Sequence, residues 1–186
     1  FAVYWRTAGR QVPLPVAGNE PRTIRRSVKR SGEDPVTGMM NERAFREVLE
    51  HDWDVAQREG TMLGLTIFCF DDYAAYKCVF GRHGADSSLK RVAKIIGRSL
   101  KRASDVAARI NDSHGGRIVV LSHGSDQETL DEFAERIATA VRDLGLHHPR
   151  SSVQKFVTVS YCSKTCTPRD FSRSPTEALG KLLKYA

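Results

Sequence analysis

Two charged residues three positions apart, Arg102 and Asp105, are the pair whose chemistry best suits recognition of a ligand. A guanidinium donates several hydrogen bonds to anionic or carbonyl oxygens, and a carboxylate accepts hydrogen bonds from N–H donors. The pair ends a row of cations at helical spacing, which could concentrate an anionic ligand: Lys90, Lys94, Arg98, Lys101 and Arg102. Two plainer interpretations stay open. One is a solvated basic helix face, and the other is an intrahelical Arg102–Asp105 ion pair that contributes only about 0.2–0.5 kcal/mol.

Further polar side chains follow an apolar segment of strand length, Leu63 to Phe70. Asp71 and Asp72 come directly after it, and Asp86 stands where the next helical pattern begins. An aspartate at that place is a good N-cap, and we favour the cap over a ligand-binding role for Asp86. The four Cys and six His residues have no spacing typical of a metal site, so the sequence indicates no metal and a reduced, cytoplasmic environment.

The composition is that of a soluble globular protein of 186 residues, 40% hydrophobic and 27% charged. This length suits one domain plus an extension. The net charge of +7 favours an anionic partner such as a nucleotide, a nucleic acid or a membrane surface. No apolar run approaches the length that spans a bilayer.

Residues 1–33 are expected to be a linker, because they lack periodicity and contain several Pro and Gly residues. They end in a basic run, Arg22 to Arg30. The alternative is a juxtamembrane segment attracted to anionic lipid. Since the first residue is Phe rather than Met, we expect a piece of a longer protein, in which a membrane or sensor segment could precede Phe1.

Hydrophobic periodicity predicts the elements that hold these residues. Asn41 should cap a helix whose apolar stripe is Phe45, Val48, Leu49, Trp53 and Ala56. The predicted elements that follow are a buried strand 63–70, a helix 86–102, hairpin strands 105–110 and 118–121, a helix 125–145, a strand 153–162 and a helix from 177. This order predicts an α/β sandwich with a mixed central sheet and helices on both faces.

Two motifs in this frame resemble those of one family. Asp34-Pro-Val-Thr-Gly38-Met-Met-Asn41-Glu-Arg43-Ala-Phe45 is similar to the D-x-L-T-G-L-x-N-R-x-x-F opening of GGDEF domains, the diguanylate cyclases. Arg102-Ala-Ser-Asp105 resembles the RxxD inhibitory-site motif that precedes their signature hairpin. The resemblance covers residues 34–186 and implies the fold shared by GGDEF domains and adenylyl cyclases.

The chain departs from the family at its catalytic positions. Asn111-Asp-Ser-His-Gly115 stands where the GGDEF letters would begin, and Cys69 replaces an aspartate that holds metal in the family. Lys77 replaces an asparagine that reads the substrate guanine. The resemblance therefore implies a degenerate domain with no catalytic residue, and with Asp71, Lys77 and Asp86 in a vestigial nucleotide pocket.

Three functions follow. The first is an inactive GGDEF domain that binds cyclic di-GMP through Arg102, Asp105 and Arg98, needs no cofactor and works with another GGDEF, EAL-type or output domain. The second is a diguanylate cyclase that makes cyclic di-GMP from two GTP and requires Mg²⁺. The third is an interaction scaffold that binds no nucleotide. None of the three involves nucleic acid.

Overall fold

The computed structural model describes residues 4–7, 10–13, 32–100, 102–111, 115–167 and 174–185. It divides the chain into two units, 1–31 and 32–186. In the first unit, β1 (Tyr4–Thr7) and β2 (Arg10–Pro13) pair as an antiparallel hairpin, inside the segment that the sequence predicts as a linker. The basic run at 22–30 lies outside the described residues.

The second unit is built on one five-stranded sheet. Its strands are β3 (Met40–Asn41), β4 (Leu63–Phe70), β5 (Val106–Ile110), β6 (Arg117–His123) and β7 (Val159–Cys166), in the order β3-β5-β6-β4-β7. β3 runs parallel to β5, and the other neighbours are antiparallel. The predicted mixed sheet is confirmed, and so is the β5–β6 hairpin. Residues 112–114 of its turn lie outside the described residues.

Among the described residues, four helices cover the two faces of this sheet: α1 (Glu42–Glu59), α2 (Tyr73–Ser99), α3 (Gln127–Arg142) and α4 (Pro175–Tyr185). Successive side chains of β4 point to opposite faces of the sheet and so belong to two separate cores. Leu65 and Ile67 pack with α1 and α4, whereas Phe68 and Phe70 pack with α2 and α3. Helices on both faces are therefore confirmed. Across the described ranges, no helix is long and apolar enough to cross a membrane.

Helix α1 begins at the predicted cap, Asn41, and ends at Gly60. The Asn41 side chain accepts a hydrogen bond from the Ala44 amide at 3.0 Å. Gly60 ends the helix in the left-handed conformation, with φ of 69°, and its N–H bonds to the Ala56 carbonyl. The predicted stripe is buried at Phe45, Leu49 and Trp53.

The prediction that Asp86 caps a helix is wrong. Helix α2 already begins at Tyr73, and it is interrupted at Gly81, whose φ of 70° and ψ of 176° are not helical. The second helical stretch therefore starts directly after Gly81, and Asp86 lies inside it. The helix also ends at Ser99 rather than at Arg102.

The last strand is displaced from its predicted range of 153–162. Val153 and Phe156 are 60% and 44% exposed, in a loop that precedes β7. Strand β7 begins at Val159 and continues to Cys166. Strand β7 starts there because Thr158 and Ser160 donate hydrogen bonds to the Asp71 carboxylate, which aligns β7 with the end of β4.

Candidate functional site

Arg102 and Asp105 lie in a turn between α2 and β5. The helix ends when Leu100 adopts an extended conformation, with φ of −66° and ψ of 126°. The Asp105 amide donates to the Arg102 carbonyl at 3.1 Å, and the Arg102 amide donates to Asp105 Oδ2 at 3.2 Å. An intrahelical ion pair is excluded because both residues lie outside the helix.

The second carboxylate oxygen of Asp105 is a buried acceptor. Within the described part of the chain, Oδ1 has no hydrogen-bond partner. A buried, unpaired carboxylate oxygen is unfavourable, because it has lost hydrogen bonds to water without replacing them. A ligand with N–H donors would supply the missing partners.

Asp105 borders a cavity of about 140 Å³ that lies between the α2–β5 turn, β6 and α3. Two arginines, two carboxylates and four hydroxyl groups surround two apolar side chains. The lining residues are Ser99, Arg102, Asp105, Ser122, Ser125, Thr129, Leu130, Glu132, Phe133 and Arg136. This combination can hydrogen-bond a polar, anionic ligand and also pack against a flat ring.

The guanidinium of Arg102 is held at the end of β6, where it donates to the carbonyl of His123. Gly124 follows His123 in the left-handed conformation, with φ of 61°, which favours glycine at that position. On the opposite side, Arg136 lies 5.7 Å from the centre of the Phe133 ring, a cation–π contact. The two arginines thus approach the cavity from different elements.

Arg98 takes no part in the lining that the described residues form. It lies exposed in the last turn of α2, in line with Lys90 and Lys94. Lys101 lies outside the described residues.

The structure gives Asp71, Lys77 and Asp86 separate environments. Asp71 accepts hydrogen bonds from Thr158 Oγ1 at 2.5 Å and from the Ser160 hydroxyl at 2.7 Å. Asp86 lies 3.7 Å from the Arg82 guanidinium and accepts from the Tyr73 hydroxyl at 3.5 Å. Burial raises the pKa of Tyr73 above its ordinary value. Lys77 is exposed on α2.

A family model described as "Diguanylate cyclase, GGDEF domain" matches residues 31–181. The chain belongs to the GGDEF domain family.

Two curated relatives are diguanylate cyclases. The chain is 30% identical to DgcP of Pseudomonas aeruginosa over 114 residues, which are 61% of this chain and 16% of DgcP. It is 30% identical to DosC of Escherichia coli K12 over 112 residues, 59% of this chain and 23% of DosC. The chain thus spans less than a quarter of either relative.

Among solved structures, the coiled coil and GGDEF domain of DgcB from Caulobacter crescentus, in complex with c-di-GMP, has the same fold. The TM-score is 0.74 at 20% identity, over 87% of this chain and 82% of that one.

The residues around Cys69, which the resemblance aligns with a metal-binding aspartate of GGDEF domains, do not fit a magnesium ion. Cys69 is in register with Arg117 on β6 and Ser160 on β7. Mg²⁺ prefers hard oxygen ligands, and a thiol opposite a guanidinium supplies neither the ligands nor the negative charge. Arg117 donates to the Leu183 carbonyl at 3.2 Å. Across the described ranges, no three His, Cys, Asp or Glu side chains are grouped so that they could hold a metal.

Sequence reasoning missed the side of the cavity that α3 and β6 provide. Ser122, Thr129 and Arg136 carry no motif, and they follow Asp105 by 17 residues or more. The available signal was weak: Arg136 lies one helical turn after Phe133, at the edge of the apolar stripe. The register of the β5–β6 hairpin, in which Val106 pairs with Leu121, brings Ser122 to Asp105, whereas Thr129 and Arg136 reach the cavity only because α3 packs on the sheet beside α2.

Proposed function

We propose that this GGDEF domain binds cyclic di-GMP at the cavity beside Arg102 and Asp105 and does not synthesise it. The observation that carries the proposal is the buried Oδ1 of Asp105, which lacks a partner among the described residues and borders a cavity with two arginines. A guanine offers N1–H and an amino group to such a carboxylate, while its O6 and N7 edge suits an arginine.

The size of the cavity fits one base of the ligand. Pockets that enclose drug-sized ligands measure about 300–1,000 Å³. A cavity of about 140 Å³ would admit one guanine and leave the phosphates and the second guanine at the surface. Lys90, Lys94 and Arg98 are exposed along the adjoining helix, where they would attract the two negative charges.

The side chains near the family's catalytic positions argue against synthesis. Phosphoryl transfer relies on metal-assisted positioning and charge stabilisation, and the residues around Cys69 do not suit that metal. The Asp71 carboxylate is occupied by Thr158 and Ser160. The names of DgcP and DosC favour the alternative that the chain is an active cyclase.

We also propose the domain boundaries, the cellular location and the kind of partner domain. Residues 1–33 would act as a linker or juxtamembrane extension, and residues 34–186 as the GGDEF domain. The protein would work in the cytoplasm with another GGDEF, EAL-type or output domain as partner.

Substitutions at the RxxD pair test the binding site. Arg102→Ala should weaken cyclic di-GMP binding most, because it removes both a charge and a surface for stacking. Asp105→Asn should also weaken binding, since its amide presents one acceptor to two guanine donors. Charge-assisted hydrogen bonds contribute about 1.5–3 kcal/mol each, so the expected loss is about ten- to several-hundred-fold, measured by calorimetry.

Arg91→Ala is the matched control, because Arg91 is an exposed cation on α2 that does not line the cavity. Arg109 would be a poor control, since it is buried against Asp34. Circular dichroism should verify the fold of each variant. Equal affinities of the parent and Arg102→Ala would put the ligand elsewhere, and no binding by the parent would favour the scaffold function.

Turnover separates the proposal from the cyclase alternative. We expect no cyclic di-GMP when the protein is incubated with GTP and Mg²⁺ or Mn²⁺ and the products are separated by chromatography. Cys69→Asp alone should not restore synthesis, because the hairpin still lacks the family's carboxylates. Product that increases with protein concentration and survives repurification would contradict the proposal.

A further inference from the structure

Strand β7 lies at the edge of the five-stranded sheet, and among the described residues only β4 pairs with it. Just before β7, the Asp71 amide donates to the Thr158 carbonyl at 3.1 Å, in the register of the β4–β7 pairs. Successive residues of a strand turn their backbone groups to opposite edges, so this bond shows that the even-numbered residues face β4. The odd-numbered residues direct their N–H and C=O groups to the outer edge of β7: Val159, Tyr161, Ser163 and Thr165.

The side chain of Gln127 bonds to this outer edge much as a neighbouring strand would. Its amide nitrogen donates to the Ser163 carbonyl at 3.2 Å, and its amide oxygen accepts from the Thr165 N–H at 3.0 Å. The Ser163 N–H and both backbone groups of Tyr161 form no hydrogen bond with the described residues. Unpaired backbone groups along a sheet edge are a template for a further strand.

An acidic groove of about 570 Å³ lies beside the outer edge, between α3 and Tyr161. Asp131, Glu135 and Thr139 follow one another at intervals of four residues, so they form one row along α3. At about 1.5 Å per residue this row extends about 12 Å, the length of about three to four residues of a strand. The other lining residues are Glu132 and Arg136.

Two carboxylates of the groove are held in place beside β7. Glu135 accepts a hydrogen bond from the Tyr161 hydroxyl at 2.7 Å, and this bond, followed by burial, raises the pKa of Tyr161. Asp131 accepts a hydrogen bond from the Gln127 amide at 3.0 Å. The ion pairs between described residues include neither carboxylate, so both charges can attract a cation.

We propose that the outer edge of β7 and the acidic groove bind an extended basic segment of a partner protein, which joins the sheet as an antiparallel strand. The residue of this segment opposite Tyr161 exchanges two backbone hydrogen bonds with it and places its side chain on the α3 side of the sheet. Lysine or arginine suits that position, because its aliphatic stem packs on Tyr161 while its charge meets Asp131 or Glu135. Apolar residues suit the alternate positions, which lie on the face of the half-buried Cys162.

The charges favour such a partner over a second copy of the chain. A copy that pairs through β7 in one continuous sheet places its own Asp131 and Glu135 beside those of the first, where like charges repel. Lys164 is the one charged residue of β7, and it pairs with Leu65 on the face away from α3.

Fluorescence anisotropy of a labelled peptide, titrated with the full chain without nucleotide, tests the site independently of the proposed ligand. The probe is a peptide of about seven residues in which lysine and valine alternate, the length of a short strand. We expect saturable binding in about 50 mM salt and a dissociation constant at least about tenfold higher in about 500 mM salt. No saturable binding overturns the proposal, and dimers of the chain at about 200 µM would then assign the edge to a second copy.

Backbone methylation of the peptide separates strand addition from simple attraction of charges. The N–H of the lysine opposite Tyr161 points to β7, whereas the N–H groups of the valines point to solvent. Methylation of the lysine backbone nitrogens should therefore abolish binding, and methylation of the valine nitrogens should leave the affinity nearly unchanged. Equal affinities of the two methylated peptides would contradict an added strand.

Neutral substitutions in the groove test the role of its charges. Asp131→Asn/Glu135→Gln should raise the dissociation constant of the peptide about five- to tenfold, because it removes two exposed ion-pair partners. Glu50→Gln/Glu128→Gln is the matched control, since it removes two exposed charges that do not line the groove. Equal losses of affinity in the two double variants would overturn the proposal.

Discussion

At the scale of single residues, the buried pair Asp34–Arg109 joins the turn before α1 to the hairpin. Arg109 Nη1 lies 3.3 Å from Asp34 Oδ2, with side chains 11% and 5% exposed. Asp34 Oδ1 also accepts the Thr37 amide at 2.7 Å, and Arg109 Nη2 donates to the Gly115 carbonyl at 3.0 Å. One ion pair thus stabilises both the opening turn and the end of the hairpin turn.

Arg109→Ala should destabilise the fold strongly. It leaves the Asp34 carboxylate buried without its cation, a change that typically costs about 3–5 kcal/mol. Urea unfolding measures the loss. Arg46→Ala is the comparison, because Arg46 forms an exposed helical pair with Glu42, for which a loss below about 1 kcal/mol is expected. Similar losses in the two variants would contradict the structural role assigned to Arg109.

At the scale of elements, the local sequence pattern predicts a helix or strand well where the burial of its side chains repeats regularly along the chain. The limits of β4 follow from its continuous apolar run, because both of its faces are buried. The cap of α1 follows from Asn41 itself. The start of β7 could not be predicted in this way, since Val153–Cys162 alternates as a strand would. The strand begins later because Thr158 and Ser160 bond to Asp71, almost ninety residues earlier.

The loop before β7 is attached to the start of α2 through Asp72. The Asp72 carboxylate accepts hydrogen bonds from the Ser152 amide and hydroxyl, both at 2.7 Å. The amide hydrogen bond first, and then the hydroxyl, lowers the pKa of Asp72 below its usual value. Asp72 also adopts a left-handed conformation, with φ of 52°, which asparagine tolerates well.

Asp72→Asn should therefore change the pH dependence of stability. A lowered pKa in the folded state means that the Asp72 contribution is present above about pH 3.9 and is lost as the pH falls through the folded value. Thermal melts between about pH 2 and 6 should show the parent more stable than the variant at the upper end, with the difference disappearing at the lower end. A difference that does not vary with pH would mean that the Asp72 charge is not responsible.

At the scale of the whole molecule, the α/β sandwich could be predicted from the sequence, but only one side of the cavity could. The order of apolar segments predicts two cores on the two faces of one sheet, as found at Leu65 and Phe68. Arg102 and Asp105 could be identified from the sequence, because they lie three residues apart at the end of the row of cations that starts at Lys90. The α3 side of the cavity depends on how two helices pack, and neither the spacing nor the composition around Arg136 contains that information.

Calorimetric titration of the parent with cyclic di-GMP, with and without excess GTP, tests the central claim most directly. The ligand should bind saturably, and its dissociation constant should be unchanged by GTP, because the cavity beside Asp105 is lined by neither Asp71 nor Lys77, the residues proposed for the nucleotide pocket. Absence of binding, or binding that GTP displaces, would contradict the claim.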